Sequence, residues 1–227
     1  MTDEAVSNEL VHVQFADNPD PRVPCLLLLD TSHSMAGEAI AALNEGLQTF
    51  KRDIMQDALA RRRVEVAIIS FGNRGVNLVQ DFVTVDDFEP PVLTAGGSTP
   101  LGQALEDGLA LLRTRKDVYN QAGVQYYRPW VFLITDGAPT DAWQQQAAQI
   151  QQEEATRGLS FFCVGVERAD MTTLAQIASD KRPPLKLKGL AFNELFLWLS
   201  QSHQRVSHSR IGDQVATPAI GWGSVDV

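Results

Sequence analysis

The feature that most constrains the fold is a pair of short runs that are apolar at every position, Cys25–Leu29 and Trp130–Ile134. A strand with one face toward solvent alternates polar and apolar residues, whereas a strand covered by helices on both faces does not. Polar turn residues follow each run, and a helical pattern follows each turn. Both runs are therefore predicted to be central strands of a largely parallel sheet.

Further strands and helices alternate along the rest of the chain. The segments 64–71 and 76–83 are separated by a very short turn and are predicted to form an antiparallel hairpin. Residues 117–128 are predicted to be a polar connection, and Thr140 is predicted to be the N-cap of the next helix. The other predicted elements are helices from near Ser34, from Leu101, over 141–156, over 170–179 and near Phe192, and strands over 159–166 and 185–187. This alternation predicts a Rossmann-like three-layer α/β/α sandwich whose central sheet is mostly parallel, with one antiparallel edge strand.

The length of 227 residues suits one domain with a sizeable core. Residues 1–22 are predicted to be an N-terminal extension with a possible edge strand, residues 23–204 the folded domain, and residues 205–227 a C-terminal tail. The tail contains an aromatic residue between glycines, Trp222. Trp222 is predicted either to anchor the tail in a groove of its own domain or on a partner, or to remain free with the tail.

Composition excludes several classes of function. The net charge of −9 argues against nucleic acid as a partner, because phosphate binding needs basic patches. Residues 1–20 do not resemble a signal peptide, and no apolar run is long enough to span a membrane. Cys25 and Cys163 lie in apolar strand-like runs and are predicted to be buried thiols. These features together predict a cytoplasmic protein with no membrane partner.

Polar oxygen donors occur in three segments that are expected at one edge of the sheet. Asp30, Ser32 and Ser34 follow the first apolar run, Thr99 lies in a Gly-rich loop before a helix, and Asp136 follows the second run. Open α/β sheets bind ligands beyond the carboxyl ends of their strands. Oxygen donors without His or Cys suit Mg²⁺, Mn²⁺ or Ca²⁺ better than zinc. Taken singly, Asp30, Ser34, Thr99 and Asp136 are better explained as helix caps or turn residues, and only their joint order favours a metal site.

With these motifs, D-x-S-x-S, a later Thr and T-D-G, the sequence resembles the von Willebrand factor type A (VWA) domains over about residues 23–204. The resemblance implies a metal-ion-dependent adhesion site (MIDAS) formed by Asp30, Ser32, Ser34, Thr99 and Asp136. It implies that the two serine hydroxyls ligate the metal directly, and that Thr99 does so in one state and through water in another. The two aspartates would bind directly or through water. The sequence departs from the usual pattern at His33, where many relatives carry Gly, and the His33 side chain is predicted to face solvent.

Neutral hydroxyl ligands leave a divalent ion under-neutralised, so an open coordination position attracts an acidic group. The predicted function is therefore a non-catalytic protein-binding module that uses Mg²⁺, or Mn²⁺ or Ca²⁺, to bind a Glu or Asp of a partner protein. Within the family, the sequence is most similar to the small bacterial tellurite-resistance-associated members. That resemblance implies a role in stress response or signalling, alongside a protein kinase or phosphatase.

Two other functions stay open at this point. A metal-dependent phosphatase or hydrolase could use the same ion to activate water. Against it, Ser32 stands where haloacid-dehalogenase-like phosphatases need a second acid, and no general base with an orienting partner is evident. Gln103-Ala104 likewise replaces the Lys-Ser/Thr pair of a phosphate loop. The third possibility is a structural interaction protein that binds no metal.

Overall fold

The computed structural model describes residues 15, 17–72, 74–221, 223 and 224. Its strands form one sheet in the order β3-β2-β1-β4-β5-β6-β7. The strands are β1 (Val23–Thr31), β2 (Val64–Gly72), β3 (Gly75–Thr84), β4 (Trp130–Thr135), β5 (Ser160–Gly165), β6 (Leu185–Leu187) and β7 (Gly223–Ser224). From β2 to β6 all neighbours are parallel, and β3 is antiparallel to β2 at one edge. The predicted fold class is confirmed, and the two-residue β7 adds an antiparallel pair at the opposite edge.

Helices cover both faces of this sheet. They are α1 (Glu38–Ile54), α2 (Ala60–Arg63), α3 (Leu101–Ala122), α4 (Gln144–Ala155), α5 (Met171–Ile177) and α6 (Phe192–Ser207), with a short 3-10 helix at His33–Met35. The helices α1 and α6 pack on one face, while α3, α4 and α5 pack on the other. The chain therefore has one core on each side of the sheet.

The strand β1 shows why its sequence is apolar without alternation. All nine of its residues are buried. Leu27 and Leu29 belong to the core under α1 and α6, whereas Leu26 and Leu28 belong to the core under α3, α4 and α5. Both faces of the strand thus bury side chains, as predicted for a central parallel strand.

Two predicted boundaries were wrong. The helix α3 continues through the first half of the predicted connection 117–128, because Arg115 and Tyr119 extend its buried face at helical spacing. The helix α4 begins at Gln144, so Thr140 is not its N-cap; the Thr140 N–H instead donates to the Thr99 carbonyl oxygen at 2.9 Å. Both differences arise from long-range contacts that local sequence patterns do not contain.

The C-terminal tail returns along α6 toward the edge of the sheet. Trp198 Nε1 donates to the Pro218 carbonyl oxygen at 2.8 Å, and Arg205 donates to that of Ala216 at 2.9 Å. The strand β7 then pairs with β6 and covers that edge. Trp222 and the stretch 10–14 of the possible N-terminal edge strand lie outside the described residues, so those two predictions remain predictions.

Two smaller predictions concern the cysteines and the helix lengths. Cys25 and Cys163 are both buried free thiols, as predicted, and burial raises the pKa of each. The longest helix, α3, has 22 residues but carries several charged side chains. Neither it nor any other helix in the described part of the chain combines the length and apolar character that a bilayer crossing needs.

Candidate metal centre

Asp30 lies at the carboxyl end of β1, beside the end of the neighbouring strand β4. Because Leu29 is in register with Ile134, Asp30 lies next to Thr135. Thr135 Oγ1 donates to Asp30 Oδ2 at 2.5 Å, and the Ser32 backbone N–H donates to Asp30 Oδ1 at 2.7 Å. Both carboxylate oxygens of Asp30 are thus fixed in place, and the side chain is fully buried.

A chain of hydrogen bonds continues from Ser32 to Asp136. Ser32 Oγ and Ser34 Oγ are 3.0 Å apart, and Ser34 Oγ donates to Asp136 Oδ1 at 2.7 Å. The short 3-10 helix turns the backbone so that Ser34 reaches this position. Ser32 and Asp136 are buried, whereas Ser34 is exposed. The site therefore opens to solvent on the side of Ser34.

The loop that carries Thr99 is joined to the same strand end by backbone hydrogen bonds. The Gly96 N–H donates to the Thr31 carbonyl oxygen at 2.8 Å, and the His33 N–H donates to that of Gly97 at 3.1 Å. Thr99 itself is buried, and its carbonyl oxygen accepts from the Thr140 N–H. The three predicted segments therefore meet at the carboxyl edge of the sheet.

Gly137 leaves a space between Thr99 and Asp30. A Cβ atom at this position would lie 3.0 Å from Thr99 Oγ1 and 3.8 Å from Asp30 Oδ2. A methyl group would thus contact one donor closely and approach another. The space next to these two oxygens exists because residue 137 has no side chain.

The two aspartates of this cluster have little positive charge to balance them. Burial raises the pKa of Asp30, and the charge of Asp136 adds to that rise, while hydrogen bonds from Thr135 and Ser32 oppose it. Burial also raises the pKa of Asp136. None of the ion pairs formed among the described residues includes either aspartate. Desolvation of unpaired carboxylates is costly, and a bound cation would offset that cost.

The donor set fits a hard divalent cation. It consists of two carboxylates and three hydroxyl groups, which are oxygen ligands of the kind that Mg²⁺, Mn²⁺ and Ca²⁺ accept. Within the described part of the chain, no three His, Cys, Asp or Glu side chains are grouped so that they could hold one ion. A cation at this edge would therefore depend on the hydroxyls of Ser32, Ser34 and Thr99 for part of its coordination.

The family model of the von Willebrand factor type A domain matches residues 26–194. The chain belongs to this family. The match contains all three segments of the candidate site and ends within the first turn of α6. No curated protein matches the sequence.

Solved structures with the same fold extend the comparison. The pilus adhesin SpaC from Lactobacillus rhamnosus GG, in its open conformation, has a TM-score of 0.63 and 15% identity over 82% of this chain and 30% of its own. Proximal thread matrix protein 1 from the mussel byssus has a TM-score of 0.55 and 17% identity over 80% of this chain and 47% of its own. The SpRpn10 VWA domain has a TM-score of 0.52 and 9% identity over 77% of this chain and 93% of its own. At these identities the similarity is one of fold.

Two residues of this VWA domain matter to the site but were not predicted as part of it. Thr135 fixes the Asp30 carboxylate, and its only signal in the sequence is its place before Asp136 in T-D-G. Asp141 caps α3 by accepting from the N–H groups of Gly102 and Gln103 at 2.8 and 2.9 Å. A Cβ at Gly102 would collide with the Ala142 carbonyl oxygen, so this close approach requires glycine. The His33 side chain is exposed.

Proposed function

We propose that this VWA domain is a non-catalytic protein-binding module that holds a divalent cation with Asp30, Ser32, Ser34, Thr99 and Asp136. The cation would in turn bind a Glu or Asp side chain of a partner protein. The observation that carries the proposal is that these five oxygen donors, two of which belong to buried aspartates, converge from three segments of the chain. Mg²⁺ is the proposed ion, with Mn²⁺ and Ca²⁺ as alternatives that the same ligands accept.

The proposed binding mode follows from charge and access. Three of the five proposed ligands are neutral hydroxyls, and aspartates that bind through water offset the charge of the ion only in part. Ser34 is the exposed donor, so a partner would approach from its side. An acidic side chain supplies the missing charge and an oxygen ligand together. No general base with an orienting partner is placed among these residues, which supports binding over catalysis.

The proposed setting is bacterial stress response or tellurite-resistance-type signalling in the cytoplasm, with a kinase or phosphatase of the same system as partner. Its support is the similarity of the motif segments to the tellurite-resistance-associated VWA proteins. The solved structures named above include a pilus adhesin and a byssus matrix protein. Their names denote an adhesin and a thread matrix protein, and such roles support a binding function for this fold as well.

Partner capture with and without chelator tests the proposal. The purified chain is used as bait in lysate with Mg²⁺ or with EDTA, next to the variants Asp30→Ala and Ser32→Ala. A specific protein partner should bind wild type in Mg²⁺, and EDTA or either substitution should reduce its capture at least tenfold. Asp180→Ala is the matched control, because Asp180 is exposed and lies after α5, at the opposite end of the sheet.

Two results would contradict the proposal. Phosphatase turnover that Asp30→Ala abolishes would favour a metal-dependent hydrolase. A partner whose capture is equal in Mg²⁺, in EDTA and with both variants would favour an interaction protein that needs no metal.

The substitution Thr135→Val should weaken divalent cation binding by about tenfold or more, because groups that orient metal ligands typically contribute that much. Valine keeps the shape of threonine but removes the hydrogen bond to Asp30 Oδ2. Thr31→Val is the matched control, since the buried Thr31 hydroxyl donates to the Phe71 carbonyl oxygen and not to a proposed ligand. Calorimetric titration with Mg²⁺ measures both. Equal affinities for the two variants would show that Thr135 does not support the site.

A further inference from the structure

Glu167 lies beside the candidate metal centre, on the β5 side, and no proposed ligand comes from its segment. The end of β5 is in register with the end of β4, where Gly165 pairs with Thr135. The Val166 N–H then donates to the Thr135 carbonyl oxygen at 2.8 Å. Glu167 follows Val166 and therefore lies at the same edge of the sheet as the segment that begins at Asp136.

A tight turn holds Glu167 in this position. The Ala169 N–H donates to the Val166 carbonyl oxygen at 2.9 Å, which closes the turn around Glu167 and Arg168. The next residue, Asp170, caps α5 by accepting from the N–H groups of Thr172 and Thr173. The turn is thus fixed by hydrogen bonds on both sides.

The backbone of Glu167 has a φ of +45°. A left-handed conformation is costly for residues with a Cβ, and Gly, Asn or Asp occupy it at lower cost. Strain of this kind often occurs at functional sites. The Glu167 side chain is exposed, so core packing does not explain why a glutamate occupies this strained position.

Glu167 and Asp136 follow two neighbouring strand ends at the same edge of the sheet, so the exposed Glu167 carboxylate adds negative charge beside the proposed ligands. Glu167 does not join Asp30 and Asp136 in a group that could ligate a single ion. Its influence on a cation would therefore act through space.

We propose that Glu167 strengthens cation binding at this site through its negative charge, without being a ligand. The inference rests on the proposed function only in that the cation is held by the five ligands proposed above. A unit charge several ångströms from a divalent ion at a solvent-exposed rim has an effect of about 3- to 10-fold on affinity at low salt. Because the attraction crosses solvent, added salt should screen it.

Titration of the full chain with Mn²⁺ tests this inference. At 20 mM NaCl, Glu167→Gln should bind Mn²⁺ about 3- to 10-fold more weakly than wild type, and at 500 mM NaCl the difference should fall below about twofold. Asp180→Asn makes the same carboxylate-to-amide change at the opposite end of the sheet and should bind like wild type. In EDTA, the Tm of Glu167→Gln should equal or exceed that of wild type, because a repulsive neighbour of Asp136 is removed.

The outcomes separate this inference from the proposed function. Equal Mn²⁺ affinity of wild type and Glu167→Gln at low salt would overturn the role of Glu167 and leave the metal site intact. A loss of about 100-fold that salt does not change would also overturn it, because it would make Glu167 a direct ligand. Wild type that binds no Mn²⁺ would overturn both proposals.

Discussion

Replacing Glu65 with alanine is expected to lower the free energy of unfolding by about 3–5 kcal/mol, the cost of breaking a buried ion pair from one side. Glu65 is the second residue of β2 and is 1% exposed. Its carboxylate accepts hydrogen bonds from Arg22 Nε at 3.0 Å, from Arg115 Nε and Nη2 at 2.8 Å each, and from the Tyr119 hydroxyl at 2.5 Å. Alanine would remove the buried negative charge that faces both guanidinium groups.

The surroundings of Glu65 make this loss hard to relax. Burial raises the pKa of Tyr119 well above its ordinary value, and the charge of Glu65 adds to the rise, so the phenol stays protonated as a donor. The ring of Phe15 lies 5.1 Å from Arg22 Cζ and 5.2 Å from Arg115 Cζ. The Arg22 and Arg115 side chains are only 2% and 10% exposed, so solvent cannot easily replace the lost carboxylate.

Urea unfolding of wild type and Glu65→Ala measures the effect. Glu153→Ala is the control, because Glu153 forms a partly exposed pair with Lys116 at 3.4 Å and its loss should cost less than about 1 kcal/mol. The variant Arg22→Met, Glu65→Leu, Arg115→Met, Tyr119→Phe should recover most of the stability lost in Glu65→Ala, since replacement of a whole buried polar cluster by apolar residues is often neutral. A loss below about 1 kcal/mol for Glu65→Ala would contradict the role given to this cluster.

His203 should make the stability of the wild-type chain fall as the pH falls below about 6.5. The side chain is fully buried in α6, between the rings of Trp130 and Phe50, whose centroids lie 4.8 and 6.4 Å away. Neither ring nitrogen has a hydrogen-bond partner among the described residues. Burial lowers the pKa of His203 from 6.5 to about 3.

The direction of the pH effect follows from which state binds the proton first. The unfolded chain binds a proton at His203 near pH 6.5, whereas the folded chain keeps the ring neutral down to about pH 3. The stability associated with His203 is therefore complete above about pH 6.5. It decreases by about 1.4 kcal/mol per pH unit as the pH falls toward 3, which gives a loss of about 2 kcal/mol at pH 5.

Comparison with His203→Leu isolates this contribution. Leucine removes two buried nitrogens without hydrogen bonds, so the variant should equal or exceed wild type in stability at pH 8. Its advantage should grow by about 2 kcal/mol between pH 8 and pH 5, measured by urea unfolding at each pH. The raised pKa values of Asp30 and Asp136 also make stability depend on pH. This effect is the same in wild type and in His203→Leu, so it cancels in the difference between their stabilities.

The same substitution at the exposed His33 provides the control. The stability difference between wild type and His33→Leu should not show the change of about 2 kcal/mol that is expected for His203→Leu between pH 8 and pH 5. If the difference between wild type and His203→Leu is constant over this range, His203 is not buried as a neutral ring.

The sequence was sufficient to predict the sheet and the place of the candidate site. Runs such as Cys25–Leu29 that are apolar throughout occur where both faces of a strand are buried, and the carboxyl ends of β1 and β4 then meet at one edge. The three polar segments could be assigned to that edge before their geometry was known, because two of them follow apolar runs and the third precedes a helix, and these are local properties of the sequence.

The parts that could not be predicted depend on contacts between distant residues. Glu65 has the appearance of an ordinary polar residue at a strand end, and its partners Arg22 and Arg115 are 43 and 50 positions away. Asp141 caps a helix that begins 40 residues earlier in the chain, which no capping rule for adjacent residues describes. Glu167 is placed by the register of β4 and β5 and by a turn that its own residue type does not favour.

The hydrogen bonds between Asp30 and Thr135 and between Ser34 and Asp136 join residues 105 and 102 positions apart. Neither bond can form until β4 has docked on β1, so we expect the cluster to assemble late in folding rather than within a local nucleus. A cation bound there would accordingly stabilise the native state more than the folding transition state. It would then slow the rate of unfolding and leave the rate of folding almost unchanged.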